Sequence, residues 1–272
     1  MSIQKKPGII FYFILGFVGL SLLLTILFDV LNIFGVKGYM VQTLDVPYFW
    51  FHWYVIPFEI PIQWYLLGIT LIVFVINAGV AHERHNRKVF GFWLLLSIGL
   101  VLMIVEDAGN VRHEFRWMLE SVAGEEQYGL LGTTFELFYF AVIGFIMVYA
   151  LFAYRQAYWD HYQTRNYLFT GYVFYGLGVS SSFLGSAYES VVGFSLYEKT
   201  GDFFISRFFI RDEITALANE IALENFEDIS FMFMDKVYEE SLELIGAGAL
   251  LTAGVFFMVN FMAKSKSSTP SI

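Results

Sequence analysis

The chain has 272 residues, of which 57% are hydrophobic, 20% aromatic and only 15% charged, and its net charge is −9. Soluble domains carry roughly 25% charged residues, so this composition is typical of an integral membrane protein that is embedded in a lipid bilayer. The acidic balance argues against a nucleic-acid partner. The lack of cysteine excludes disulfides, thiolate metal ligands and cysteine nucleophiles.

Six apolar stretches are long enough to form spanning helices, because a hydrocarbon core of about 30 Å needs about 20 helical residues. They predict an all-α fold, a polytopic six-helix bundle that forms one domain over residues 1–262, with a disordered cytoplasmic tail at 263–272. The predicted spans are residues 9–34, 62–81, 89–105, 133–154, 167–188 and 237–262.

The basic residues of the short connections predict the orientation of the bundle. Nine of them lie on one side, so both termini are expected to be cytoplasmic. They are Lys5, Lys6, Arg84, Arg87, Lys88, Arg155, Arg165, Lys264 and Lys266. The opposite, outer side then holds most of the acidic residues and attracts cations.

Three outer connections are longer than turns, at residues 36–61, 106–132 and 189–236. The first contains several prolines with Trp and Tyr residues that are typical of the headgroup boundary, so we expect a segment that lies in the interface or re-enters the bilayer. In the third, apolar residues recur with helical spacing at Ile210, Ile214, Leu217 and Ile221. This pattern predicts an amphipathic helix that lies on the membrane or over the bundle.

A polar cluster follows the third predicted span. It consists of Glu106, Asp107, Asn110, Arg112, His113 and Arg116. If the helix continues, Glu106, Asn110 and His113 share one face, and the two arginines form a second stripe. Carboxylates near lipid are normally neutralised by partners, so the cluster predicts either a structural ion-pair network or an ion or substrate site.

The last predicted span opens with acidic residues. Glu239, Glu243 and Gly246 share one face of this helix. Carboxylates in a first turn stabilise a helix through its dipole, which accounts for Glu239. Glu243 lies a turn further in and precedes apolar sequence, so we expect it to face a polar interior.

Two further acids lie at the same end of other spans. Glu136 is flanked by apolar and aromatic residues, and Glu189 follows a run of small residues that is typical of close helix packing or of a pathway lining. Asp29, near the outer end of the first span, is either a further member of this acidic group or a solvated helix end. In one bundle the acids of four helices would meet near the outer boundary.

Carboxylates with a single histidine favour a divalent cation such as Ca²⁺, Mg²⁺, Mn²⁺ or Zn²⁺, or protons shared between carboxylates. The candidate metal ligands are Glu106, His113, Glu136 and Glu243. Arg112 and Arg116 count against a metal, because they already supply positive charge. The sequence contains no nucleotide, haem or Fe–S signature.

Three functions remain open. The first is a small channel or carrier for a cation or a proton-coupled solute. Four acids would bind the ion, namely Glu243, Glu136, Glu106 and Asp107. Arg112, Arg116 and His113 would adjust the pKa values of these acids and gate access to them. The second is a membrane enzyme, with or without a metal, that acts on a lipid or lipid-linked substrate at the outer boundary. The third is a structural or accessory subunit, as a homo-oligomer or with another membrane protein. The frequency of transporters among small polytopic proteins favours the first.

Overall fold

The computed structural model describes residues 7–109, 111–123, 125–192, 196–209, 212–224 and 228–266, and the regular elements of this part are all helical. The α-helices are α1 (Gly8–Thr25), α2 (Val36–Leu44), α3 (Ile60–Glu83), α4 (Arg87–Gly109), α5 (Val111–Ala123), α6 (Glu125–Ala153), α7 (Tyr162–Val192), α8 (Leu196–Phe208), α9 (Glu213–Glu224), α10 (Ile229–Phe233) and α11 (Glu240–Lys266). Wide-turn π-helical segments occupy Ile26–Val30, Phe51–Glu59 and Met234–Glu239.

Within the described residues, five helical stretches are long and apolar enough to cross a membrane. They are Gly8–Val30, Phe51–Glu83, Arg87–Gly109, Thr134–Ala153 and Ile229–Ala263. The predicted span at 167–188 falls inside α7, a helix of 31 residues that is not among the five. The all-helical architecture is therefore confirmed, with five candidate spans where the sequence predicts six.

Two spans begin earlier than the sequence predicts. Residues 51–59 continue into α3 as one helical stretch, and the helical backbone of the last span already starts at Ile229. The interfacial position of residues 36–61 stays a prediction. Pro57 is accommodated inside a π-helical segment, where the wide turn relieves the clash that a proline ring makes in a regular α-helix. At the other end, α11 runs to Lys266, past the predicted start of the tail, and residues 267–272 lie outside the described part.

Helix α11 lies at the centre and packs against α7, α3 and α1. Glycines allow the closest of these approaches. A Cβ atom at Gly246 would lie 3.0 Å from the backbone nitrogen of Tyr175 on α7 and 3.1 Å from the carbonyl oxygen of Gly171. Small residues at such crossings let helix backbones meet, which places the side chains of α11 directly against α7.

The inner part of the bundle is filled by aromatic side chains. Phe74 of α3, Trp93 of α4 and Phe257 of α11 are fully buried. Their rings are in contact, with centroids 4.7 Å apart for Phe74 and Trp93 and 4.9 Å apart for Trp93 and Phe257. We call these three residues the aromatic plug.

A second hydrophobic core lies among the shorter helices. The predicted amphipathic helix is α9, and its apolar face, with Ala218, Ile221 and Ala222, is buried in this core together with Trp50 and Met232. The apolar side of α9 therefore packs on protein. Ile210 lies outside the described residues.

Candidate functional site

Four polar side chains from four different helices meet in the interior. Gln63 of α3 donates from Nε2 to Glu243 Oε2 of α11 in a short hydrogen bond, and to Asp107 Oδ2 of α4 at 3.2 Å. Tyr175 of α7 donates its hydroxyl to the same Asp107 oxygen at 2.7 Å. Glu243 is 6% exposed and Gln63 3%. We call these four residues the Gln63 cluster.

The position of Glu243 depends on a glycine in the facing helix. A Cβ atom at Gly178 of α7 would lie 2.9 Å from Glu243 Cγ and 3.3 Å from Glu243 Oε1. Real Cβ atoms essentially never lie within 3.0 Å of such an atom, so the first of these contacts requires a shift of the Glu243 side chain. The small-residue run of α7 therefore provides the space in which the Glu243 side chain lies.

The electrostatic environment of Glu243 is acidic. Within the described part of the chain, the charged groups that act on it most strongly are the carboxylates of Asp107, Glu240 and Glu239. Glu243 accepts a hydrogen bond from the neutral amide of Gln63. In an interior of low dielectric, neighbouring carboxylates repel one another. Either one of them takes up a proton, or a cation beside them offsets the repulsion. The site is therefore suited to holding positive charge.

One polar atom of the cluster has no hydrogen-bond partner among the described residues. Two amide hydrogens of Gln63 and one hydroxyl hydrogen of Tyr175 face two carboxylates. Among the described residues, the Oε1 atom of Gln63 is buried without a hydrogen-bond partner. Buried polar atoms are normally satisfied, so this oxygen is an acceptor that a further donor or a cation would satisfy.

Glu239 belongs to a separate contact. It is buried, and its Oε2 atom accepts a hydrogen bond of 2.8 Å from the hydroxyl of Tyr197 on α8. Burial, together with the nearby carboxylates of Glu239 and Asp235, raises the pKa of Tyr197 well above its ordinary value. The tyrosine hydroxyl therefore keeps its proton and remains a donor to Glu239.

Glu106 and Glu136 lie on α4 and α6, two helices that pack against each other. Glu136 is 1% exposed on α6, and Glu106 is half-buried beside Asp107 on α4. The two helices are linked by Tyr139 of α6, whose hydroxyl donates to the carbonyl oxygen of Leu102 at 3.1 Å. Tyr139 is also within electrostatic range of Glu106 and Asp107. Acids from α4 and α11 thus meet through Gln63, and the place of Glu136 in this group stays a prediction.

Several predicted site residues lie where the structure gives no side chain. Asn110 is outside the described residues, and the side chains of four others, on α5 and α7, are outside the described part. These four are Arg112, His113, Arg116 and Glu189. Their roles stay predictions.

The described residues contain no group of three or more His, Asp or Glu side chains arranged to hold a metal ion. Because the His113 side chain lies outside this part, the predicted ligand set of Glu106, His113, Glu136 and Glu243 is not tested. The chemistry of the Gln63 cluster, with carboxylate, amide and phenol oxygens, is that of a site for protons or hard cations.

Asp29 has a role that the sequence did not predict. It is 1% exposed, and its two carboxylate oxygens accept hydrogen bonds from the backbone nitrogens of Phe49, at 2.6 Å, and Trp50, at 2.9 Å. It is neither a solvated helix end nor a member of the Gln63 cluster. It caps the amino end of the helix that leads to Gln63, where a carboxylate is favoured by the exposed N–H groups and the helix dipole.

Lys37 supports the same region from α2. Its ammonium group donates to Thr215 Oγ1 on α9 and lies 5.4 Å from the ring centroid of Tyr48. Burial lowers the pKa of Lys37, although Asp212 and Asp29 act in the opposite direction. Lys37 thus links α2 and α9 beside the capped helix end.

Sequence reasoning missed Gln63 and Tyr175. Neither is ionised, so neither stood out against charged neighbours. A usable signal was that Gln63 is an amide at the edge of a predicted span, where a polar group needs a partner.

Comparison with known proteins found no matching family model, no matching curated protein and no matching solved structure. The function is therefore inferred from the chemistry of the site.

Proposed function

We propose that the protein is a six-helix membrane carrier that binds a proton or a small cation at the Gln63 cluster and couples this binding to transport. The observation that carries the proposal is the environment of Glu243. This carboxylate is buried, and the charged groups that act on it most strongly among the described residues are other carboxylates. A proton or cation that binds and leaves beside such a group changes the stability of the surrounding helices, which is what ion-coupled carriers use.

A membrane location is supported by the surface of the helices. Five stretches have the length and hydropathy of spans, and we assign α7 as the sixth. Large apolar side chains are exposed on the surface of these helices that faces away from the bundle. They include Phe13, Ile72, Phe145, Phe152 and Val173. Lipid satisfies such faces, whereas water would not. The basic residues of the short connections support cytoplasmic termini, which places the Gln63 cluster toward the outer side.

The aromatic plug favours a carrier over an open channel. Phe257 lies about four turns, or roughly 20 Å, along α11 from Glu243, and Trp93 lies at a similar distance from Asp107 along α4. The rings of the plug are packed against one another. An ion bound at the cluster would meet this barrier on its way inward, so transport requires the helices to move between two arrangements.

The same plug favours a second candidate. A membrane enzyme that acts on a lipid or lipid-linked substrate needs a site that is open on one side only. In that case Glu243 or Asp107 would act as a general acid or base. Flux across the membrane distinguishes the two candidates, because only the carrier moves an ion from one side to the other.

The test is an ion-flux measurement in proteoliposomes that contain a pH-sensitive dye, with pH, Na⁺ and K⁺ gradients imposed in turn. We expect the wild-type protein to carry an ion flux that the Glu243→Gln variant lowers at least tenfold, since glutamine cannot exchange a proton or hold a cation by charge. Glu83→Gln, a change of the same chemistry at an exposed position, should leave the flux unchanged. Equal flux in the wild type and the Glu243→Gln variant would contradict the proposal.

A further inference from the structure

The amide of Gln63 is satisfied at one end only. Both hydrogens of Nε2 are engaged, one by Glu243 Oε2 and one by Asp107 Oδ2. The oxygen at the other end, Oε1, is buried without a partner among the described residues, on a side chain that is 3% exposed. An amide carbonyl in the protein interior requires a donor or a cation.

The Gln63 cluster itself offers no donor to this oxygen. The hydroxyl hydrogen of Tyr175 points to Asp107 Oδ2 at 2.7 Å. The remaining atoms of the cluster are carboxylate oxygens, which are acceptors when ionised. The missing component is therefore a positively charged or donating species beside Gln63 Oε1.

A proton on Glu243 alone does not supply it. A protonated carboxyl group donates a hydrogen bond, but the Gln63 atom that faces Glu243 Oε2 is Nε2, which is itself a donor. The observed amide orientation thus fits ionised carboxylates. The protonated form fits the reverse orientation, in which Oε1 turns toward the acid. The orientation of the Gln63 amide is linked to whether the positive charge is a proton on a carboxyl group or a separate ion.

We propose that the separate ion is an alkali-metal cation, with Na⁺ as the probe, bound by Gln63 Oε1 together with the carboxylates of Glu243 and Asp107. This inference rests on the proposed carrier function and names its ion. All three ligands are oxygens, which select a hard cation. Ca²⁺ takes six to eight oxygen ligands and is usually held by several carboxylates, whereas the described residues hold no group of three acidic or histidine side chains suited to a metal. A singly charged ion fits this smaller set.

Na⁺ and protons should then compete for the cluster, because protonation of Glu243 removes the charge that holds the cation and turns the amide. For exchange of one proton against one Na⁺, the apparent affinity for Na⁺ should fall by about tenfold for each pH unit below the value at which the competing carboxyl group titrates. The cluster would thereby act as the exchange site of a Na⁺/H⁺-coupled carrier.

The test uses the purified full-length protein in detergent and follows thermal unfolding at constant ionic strength while NaCl replaces choline chloride. We expect saturable stabilisation by Na⁺ that weakens at lower pH. Gln63→Leu removes Oε1 and should lower the affinity for Na⁺ at least about tenfold, which corresponds to about 1.4 kcal/mol. Gln42→Leu, the same change on an exposed face of α2, should have the wild-type affinity. Equilibrium binding of radioactive Na⁺ to the wild type, displaced by acid, provides a measurement that does not depend on folding of a variant.

The outcomes separate the two proposals. If Na⁺ and choline act alike while protons still bind in a Glu243-dependent way, the sodium inference is overturned and the proton carrier stands. Stabilisation by Ca²⁺ or Mg²⁺ but not by Na⁺ would overturn the choice of an alkali ion, and Na⁺ binding that survives in Gln63→Leu would overturn the role of Oε1. If neither Na⁺ nor protons bind in a Glu243-dependent way, both proposals fail.

Discussion

Two glycines of α7 provide a sharp test of where Glu243 lies. A Cβ atom at Gly178 would be 2.9 Å from Glu243 Cγ, whereas a Cβ atom at Gly176 would meet nothing within 4 Å. Both residues are inside the same helix, two positions apart. Gly178→Ala and Gly176→Ala are thus the same chemical change with and without the contact to Glu243.

The expected magnitudes follow from this difference. Replacing glycine by alanine inside a helix stabilises the folded state by about 0.5–1 kcal/mol through backbone entropy, and Gly176→Ala should show this gain. Gly178→Ala gains the same amount, but the added methyl group must displace a side chain whose carboxylate is held by Gln63. Overpacking of this kind costs about 1–3 kcal/mol. The free energies of unfolding of the two variants should therefore differ by about 1–3 kcal/mol, with Gly178→Ala the less stable.

The assay is chemical unfolding of both variants in the same detergent, followed by tryptophan fluorescence, together with ion flux in proteoliposomes. Gly178→Ala should also lower the flux, since it moves the Glu243 carboxylate away from Gln63, while Gly176→Ala should keep it. Equal stability and equal flux in the two variants would refute the packing of Glu243 against α7.

Three further changes test the surroundings of the site. Asp29→Ala removes the carboxylate that accepts two backbone N–H groups at 2.6 and 2.9 Å, so it should lower the free energy of unfolding by about 2–6 kcal/mol. The control Asp160→Ala, at an exposed position, should change this free energy by less than about 0.5 kcal/mol. Burial lowers the pKa of Lys37 in the folded protein below its ordinary value of 10.5. At a pH between the folded-state pKa and 10.5 the unfolded chain binds more protons, so the free energy of unfolding should rise with pH across that interval. Lys37→Met should remove this rise, and a rise that persists in the variant would point to another group. Tyr197→Phe removes the 2.8 Å hydrogen bond to Glu239 and should cost about 1.5–3 kcal/mol in chemical unfolding; an unchanged midpoint would show that this bond does not contribute.

The helices were predictable because apolar run length directly reflects the thickness of a bilayer. The early start of the span at Phe51 was not predictable, because the amino end of this helix is capped by Asp29, an acceptor that lies far back in the chain. Local patterns contain no information about such distant caps. Pro57 and Pro61 suggested a break, while the wide π-helical turn at Phe51–Glu59 keeps the helix continuous.

The candidate site was predictable in its acids but not in its partners. The sequence singled out Glu243 and Asp107 as acids at the same end of different spans, yet the residue that joins them is the neutral Gln63. Which polar side chains meet depends on how each helix is rotated about its axis, and apolar runs without strong periodicity do not define that rotation. For the same reason the shared helix face did not reveal that Glu239 would pair with Tyr197 instead.

In the proposed carrier, Glu243 exchanges positive charge inside the bundle. Infrared difference spectroscopy of the purified protein during a pH titration tests it most directly, because a protonated carboxyl group has its own carbonyl stretching band. We expect a carboxyl band that disappears as the pH rises, is missing from Glu243→Gln and is retained in Glu83→Gln. A titrating carboxyl spectrum that is the same in the wild type and in Glu243→Gln would contradict it.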